Sequence, residues 1–371
     1  MSNAMYHIFF TLKLFPKILG LFFLTVTNVS GNDTPGVTYS DHYDSEIPCS
    51  LHVLTIDFSD PAIRMAATLP AENDRQTLAG RQKLSQMAGQ LTTDYNKVGG
   101  INADFFSFDT SYPVNLHVSD HLPATPNHQR AVFGAAGTDS LFIDQIDFQA
   151  ELKAGENEFV VDQVNPVRAL NEPALYSSFY GEPFHTDSTG KALAFEHTGE
   201  GNFEAATPEL IDGEIYPEDH DLLITLPNSS IDANTATLEL KYDPLSKPVV
   251  EAVGGGPELV RDGEVVVDNA AESEGIGRDF VETRHPRTAV GFNHDQSELY
   301  LATADGRSEE SAGMDLYELA EFMISLGADH ALNLDGGGST TMVWDGEILN
   351  QPSDDDGERP VANGLLIIVD E

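Results

Sequence analysis

"ALNLDGGGSTTMVWDGE", Ala331 to Glu347, is the stretch on which the fold reading turns. An apolar alternation ends on Asp335, three consecutive glycines follow, and Ser339, Thr340 and Thr341 come next. Glycine weakens strand pairing and loses more backbone entropy on folding than other residues. Three together imply a bend through positive φ or a close approach of something to the backbone. Just upstream, "MDLYELAEFMISLGA" is the clearest helix in the chain. Asp315 and Glu318 have capping-box spacing, Leu316, Leu319, Ala320, Met323 and Leu326 form one apolar face, and Gly327 sits where a C-terminal cap belongs. The order helix, short strand "ALNLD", glycine loop, buried strand "MVW" therefore sets a carboxylate at a strand end, facing a bending loop. The helix at 314–326 is expected to pack beneath and position it.

Working outward, "RTAVGFNHDQSELYLATADGR" reads as two strands joined by a polar turn and ending at Asp305-Gly306. If its strand neighbours the one ending at Asp335, both carboxylates emerge at one sheet edge, where sites are commonly built. Paired carboxylates divide into acid and base when their surroundings split their pKa values; Asp-Gly is also an ordinary turn signal. No Gly-Lys-Ser/Thr follows the glycines, so this is not a nucleotide-type phosphate loop. The amides of Gly336, Gly337 and Gly338, with Ser339 and Thr340 as added donors, are read as an anion-holding nest. Arg287 and Arg307 flank the motifs and have the fork geometry that clamps phosphate, although either could equally pair with acidic neighbours. In "GGINADFF", Asn102 and Asp104 share one face of an alternating strand, as polar groups lining a cleft would. "VNPVRALNEPALYSSFYG" offers Asn165 and Arg168 with weaker local logic. His117 and His121 have metal-like spacing without a further ligand nearby and are expected to be surface histidines.

The 371 residues are 40% hydrophobic, enough for a sizeable core. Charge is the unusual property: 61 acidic against 19 basic residues give a formal net charge of -42. Such a surface repels nucleic acid and anionic lipid and suits high salt, where screening relieves self-repulsion. Cys49 is the only cysteine, which excludes an intrachain disulfide or a cysteine metal cluster. Lys13 and Lys17 precede an apolar run from Ile18 to Val26, then Ser30 and Gly31; residues 1–31 read as a secretory signal, with an uncleaved anchor as the alternative. The expected location is secreted or cell envelope, without stable membrane insertion after processing. Residues 32–44 read as a linker and 45–371 as one α+β domain of mixed sheets with a few packed helices. "TLAGRQKLSQMAGQLTTDY" carries helical spacing from Leu78 to Leu91, and 191–218, rich in Gly, Glu and Pro, reads as a variable insertion or loop.

Taken in order, "INADFF", "VNPVR…LYSSFYG", "AVGGGPELVRDGE", "RTAVG", "ADGR…SAGMDLYELAEFMISLGADHALNLDGGGSTTMV" and "ERPVAN" resemble the phosphodiester glycosidase family over most of the chain from about Pro48. The resemblance implies hydrolysis of a sugar-1-phosphodiester at the anomeric carbon, with a sugar such as N-acetylglucosamine and a phosphomonoester as products. That chemistry needs a carboxylate for water or for an oxocarbenium-like centre, and donors on the phosphate. On this reading Asp335, Asp305 and Asp104 are the carboxylates and Asn102 orients sugar or water. Arg287, Arg307 and the Gly336–Thr340 loop hold phosphate, with Arg168 assisting. No cofactor is called for. Two rival readings follow from the same residues: a phosphodiesterase using Mg²⁺ or Ca²⁺ on three aspartates, and a non-catalytic module binding exopolysaccharide or cell-surface glycan.

Overall fold

The computed structural model describes residues 24–30 and 34–370, apart from 46, 74, 94–95, 138–139, 167–172, 186–189, 207–209, 212 and 228–232. Arg168 and most of the segment read as a signal lie outside the described residues. The α+β architecture is as expected. Strand ladders run antiparallel among the described residues, and parallel geometry is confined to the isolated bridge between Val164 and Leu175.

An eight-stranded sheet runs in the order Leu24–Ser30, Val37–Asp44, Cys49–Asp57, Glu298–Ala304, Arg287–Phe292, His330–Asn333, Glu258–Arg261, Glu264–Val265. Its period-2 alternation feeds two cores. Cys49, Leu51, Val53, Ala289, Tyr300 and Ala302 face the Leu316–Leu326 helix, where Leu316, Leu319, Ala320 and Met323 are buried. Leu54, Ile56, Val290, Phe292, Leu299 and Leu301 face the other way and pack on Ile101, Met342, Trp344, Leu365 and Ile367. Those residues belong to a five-stranded sheet ordered Glu347–Ile348, Met342–Trp344, Asn96–Asn102, Gly364–Asp370, Ile63–Thr68. The helix forms as its sequence requires. Asp315 and Glu318 close the capping box in both directions, and Gly327 ends the helix at φ 109°, where a side chain would be strained.

Register places the two Asp-Gly motifs. Arg287 pairs with Ala304 on one side, while Ala289, in the same strand, pairs with Asn333 on the other. Asp305 and Asp335 therefore leave the sheet at the same end, on either side of Arg287. The loop after Asp335 crosses from the eight-stranded sheet to Met342–Trp344 of the five-stranded one.

Three expectations are corrected. The helix read from Leu78 begins at Leu84 and ends at Leu91, and Leu78 is buried in a separate core with Phe179 and Leu193. The stretch 191–218 is not simply a loop. Gly190–Gly199 and Asn202–Ala205 pair across Glu200-Gly201, both with positive φ, inside a seven-stranded sheet, and Leu193 and Phe195 are buried there. Nor are His117 and His121 both surface histidines. His117 is fully buried beside Asn363, its pKa pushed down to about 3 by burial. His121 is half-buried in the turn between His117–Ser119 and Leu122–Thr125 and lies 4.6 Å, ring to ring, from His197. An i,i+4 spacing converges on a helix, and this segment is strand and turn.

Candidate active site

Asn102 fixes the approach to the glycine loop. It is buried, and its Oδ1 accepts from Thr288 Oγ1 at 2.9 Å and Thr341 N at 3.0 Å, while Nδ2 donates to Asp335 O at 2.7 Å. Both its Oδ1 and its Nδ2 are engaged in stitching the two sheets and both ends of the loop, which is the work of a positioning residue. Ala103 O accepts Asp335 N at 2.8 Å and completes the brace.

Gly337 turns through φ 63° at the head of a 3₁₀ turn, Gly337–Ser339. The expected row of free amides is interrupted by bonds within the protein. Gly337 N donates to Pro286 O, Ser339 N to Gly336 O and Thr340 N to Gly337 O. The glycines instead admit side chains. A Cβ on Gly337 would lie 2.8 Å from Arg307 Nη2, and one on Gly338 would lie 2.0 Å from Arg359 Nη2. Two guanidinium groups rest on bare backbone, in a chain where bases are scarce.

Asp335 sits at the head of this platform, part of its surface open but closely ringed by protein. Burial pushes its carboxyl up to about 6, against the pull of the Ser339 hydroxyl, the Arg359 charge and the Gly336 amide. Arg359 is held by a bidentate pair with Asp354 at 2.7 and 2.9 Å, and its Nη1 lies 3.5 Å from Ser339 Oγ.

The other two aspartates are more fully engaged. Asp305 Oδ1 accepts from Asn350 Nδ2 at 3.2 Å and Gln351 N at 3.0 Å; its Oδ2 lies 3.1 Å from His52 Nε2. His52 Nδ1 is 2.8 Å from Tyr39 Oη, whose hydroxyl is pushed up to about 12 by burial and by the charges of Asp41 and Asp305. A phenol that stays protonated donates to Nδ1, which leaves Nε2–H for Asp305. Asn350 Nδ2 also donates to Thr340 O, and Oδ1 accepts Met342 N, so Asp305 is tied to the end of the glycine loop. Asp104 is buried, with Oδ2 accepting from Asn115 N at 2.6 Å and Oδ1 from Asn115 Nδ2 at 2.7 Å. Burial raises it to about 7, opposed by Asn115 and by the charge of Arg130. A cation shared by the three aspartates would have to displace these bonds.

Arg287 is also occupied. Its Nε donates to Met314 O at 3.0 Å and its Nη2 to Phe280 O and Thr283 O, both at 2.7 Å, with the guanidinium 4.7 Å from the Phe280 ring centroid. Burial lowers its pKa to about 10. It pins the loops that flank Pro286, whose carbonyl receives Gly337. Of the described arginines singled out in the sequence, Arg287 is buried, whereas Arg307 is exposed and lies over the glycines. Sequence reasoning missed Arg359. It stands in "DDDGERP", where acidic neighbours suggest a solvated pair and no local period ties it to a site 20 residues earlier.

Residues 203–368 match the family model for phosphodiester glycosidases. Human N-acetylglucosamine-1-phosphodiester alpha-N-acetylglucosaminidase is 36% identical over 114 residues, covering 29% of this chain and 22% of that protein. The bovine protein of that name is 39% identical over 114 residues, covering 29% of this chain and 21% of its own. The matched stretch thus spans about a fifth of the length of these relatives. Among solved structures, a hypothetical protein from Synechocystis superposes with a TM-score of 0.67 at 21% identity, covering 91% of this chain and 63% of its own.

Proposed function

We propose that this chain, which belongs through residues 203–368 to the phosphodiester glycosidase family, hydrolyses the C1–O bond of sugar-1-phosphodiesters and releases a sugar and a phosphomonoester. The relatives' name points to N-acetylglucosamine as the sugar, and the basic-then-apolar N-terminal run supports export to the cell envelope or beyond.

One observation carries the reading: a partly open carboxylate, Asp335, whose pKa is raised to about 6, heads a glycine platform against which Arg307 and Arg359 lie. Negative charge builds on the departing phosphate as C1–O breaks, and preorganised guanidinium donors stabilise that charge more than they stabilise the ground state. The sugar carbon acquires oxocarbenium character and needs a carboxylate on its other side. Above about pH 6 Asp335 is ionised and serves there, as base for water or as nucleophile. A phosphate leaves without a strong acid, so no second carboxyl need reach the oxygen. Asp305, Asp104, Asn102 and Arg287 act as positioning residues, holding the loop ends so that Asp335 and the arginines keep their spacing.

The test is turnover of a panel of sugar-1-phosphodiesters in high-salt buffer, with Asp335→Asn alongside. Hydrolysis of the N-acetylglucosamine diester, lost in a folded Asp335→Asn, is expected. Equal turnover by the variant would remove Asp335 from the chemistry.

A further inference from the structure

Turns from separate parts of the chain converge at the end of the eight-stranded sheet opposite Asp305 and Asp335. The strand Arg287–Phe292 joins the two ends: Arg287 pairs with Ala304 near the aspartates, and Phe292 pairs with Leu299 and His330 at the far end. There His294 stands in the polar turn after Phe292, and Asp262 in the turn between Glu258–Arg261 and Glu264–Val265. Asp329 and His330 lie where the Leu316–Leu326 helix gives way to strand. Asp262, Asp329 and His330 each bring a donor atom to within 4.8 Å of the other two. His330 Nε2 is 3.5 Å from Asp329 Oδ2 and 3.8 Å from Asp262 Oδ1, and His294 Nδ1 is 3.2 Å from the same Asp329 oxygen. Backbone bonds hold the segments together: Asp329 N donates to Phe292 O and Gly263 N to Asp329 O, both at 2.9 Å. The His330 ring is stacked on Phe292 at 5.1 Å. Its Nδ1 is buried without a partner among the described residues, so Nε2 is the nitrogen it offers.

We propose that Asp262, Asp329, His330 and His294 form a site for one divalent transition ion of the zinc class, which staples these turns together. On a surface with 61 acidic residues, carboxylates alone would say little. The imidazoles carry the argument, because two of them from separate turns meet one carboxylate oxygen. Neutral imidazole with carboxylate is a zinc-type donor set, whereas calcium and magnesium take oxygen ligands. The spacing agrees. Metal bonds of about 2.0–2.1 Å at tetrahedral angles put donor atoms about 3.3–3.4 Å apart, and the separations of 3.2, 3.5 and 3.8 Å straddle that edge. His294 is 91% exposed and turns in about its own bonds to complete the donor set. The site is independent of the hydrolysis proposed at the glycine platform. Its role is stability, since an ion that binds the folded chain alone raises the unfolding free energy.

The experiment titrates zinc chloride into the chelator-treated protein by calorimetry in high-salt buffer at neutral pH, beside visible spectra with Co²⁺ and thermal melts with and without zinc. Wild type, Asp262→Asn and His294→Ala are compared. These two side chains are 85% and 91% exposed, so their replacement leaves the packing intact. The wild type is expected to bind one Zn²⁺ per chain in the presence of excess Mg²⁺, to give the absorption of tetrahedral Co²⁺, and to gain Tm with zinc. Each variant is expected to bind zinc about tenfold more weakly or worse and to lose most of the Tm gain. Absence of saturable binding by the wild type overturns the site, as does unchanged affinity in either variant. Displacement of zinc by excess Mg²⁺ or Ca²⁺ also overturns it, because the acidic surface would then be gathering cations without a built site.

Discussion

Gly338→Ala is the sharpest perturbation of the platform. Gly338 lies in a 3₁₀ turn and needs no positive φ, so alanine meets no backbone strain there. What it meets is side chain: a Cβ at 2.0 Å from Arg359 Nη2 and 2.1 Å from Asp354 Oδ1, distances no real contact tolerates. The Arg359–Asp354 pair must lift off the loop. Both partners are about 30% exposed, so the cost in stability is that of a partly screened pair, within about 1 kcal/mol. The cost in catalysis is that of removing a donor from developing charge, about 3 kcal/mol, or on the order of a hundredfold in kcat/KM. The assay is steady-state hydrolysis of the N-acetylglucosamine diester beside a urea melt, with Arg359→Ala and the double variant completing a cycle. If Arg359 is the path of the effect, the double variant is no worse than either single one. Gly338→Ala with wild-type kcat/KM, or full additivity in the cycle, refutes the idea that the glycines exist to seat the arginines.

The pH profile of kcat/KM should carry an acid limb near pH 6, because the Asp335 carboxyl is raised to about 6 and works ionised; a flat profile down to pH 4.5 contradicts that role. Glu251, half-buried and accepting from Ala67 N and Asp120 N, is raised to about 8 by desolvation. Its folded pKa exceeds its unfolded one, so the stability it contributes is present at low pH and lost as pH rises toward 8. Glu251→Gln should flatten the fall in unfolding free energy between pH 5 and 8 by up to about 1.4 kcal/mol per pH unit, read from urea melts. Asn350→Ala strips hydrogen bonds from Asp305, Thr340 O and Met342 N together and should cost about 3 kcal/mol in the same melts, with a loss under 1 kcal/mol counting against the tie.

Much of this was legible in the sequence because it is local. The capping box of Asp315 and Glu318, the Gly327 cap, the strand at "ALN" and the buried "MVW" each follow from the spacing of a few neighbouring residues. The convergence of Asp305 and Asp335 also followed from reading both as strand ends in one sheet. What could not be read depends on contacts far apart in sequence. Asn102 and Asp104 look like cleft residues in "INADFF", but Thr288, Thr341 and Asn115 occupy them. Arg287 looks like a phosphate clamp until the carbonyls of Phe280, Thr283 and Met314 close on it. The glycines suggested an amide nest, whereas Pro286 O takes Gly337 N and two guanidinium groups take the space. Arg359 reaches the site only because the chain returns from the Glu347–Ile348 hairpin.

The most direct test of the account is hydrolysis of the N-acetylglucosamine-1-phosphodiester in ¹⁸O-labelled water, with both products analysed by mass spectrometry. Cleavage at C1–O predicts the label on the sugar's anomeric oxygen and an unlabelled phosphomonoester. Label in the phosphomonoester would mean that water attacks phosphorus, and the platform of Asp335, Arg307 and Arg359 would then serve a different reaction.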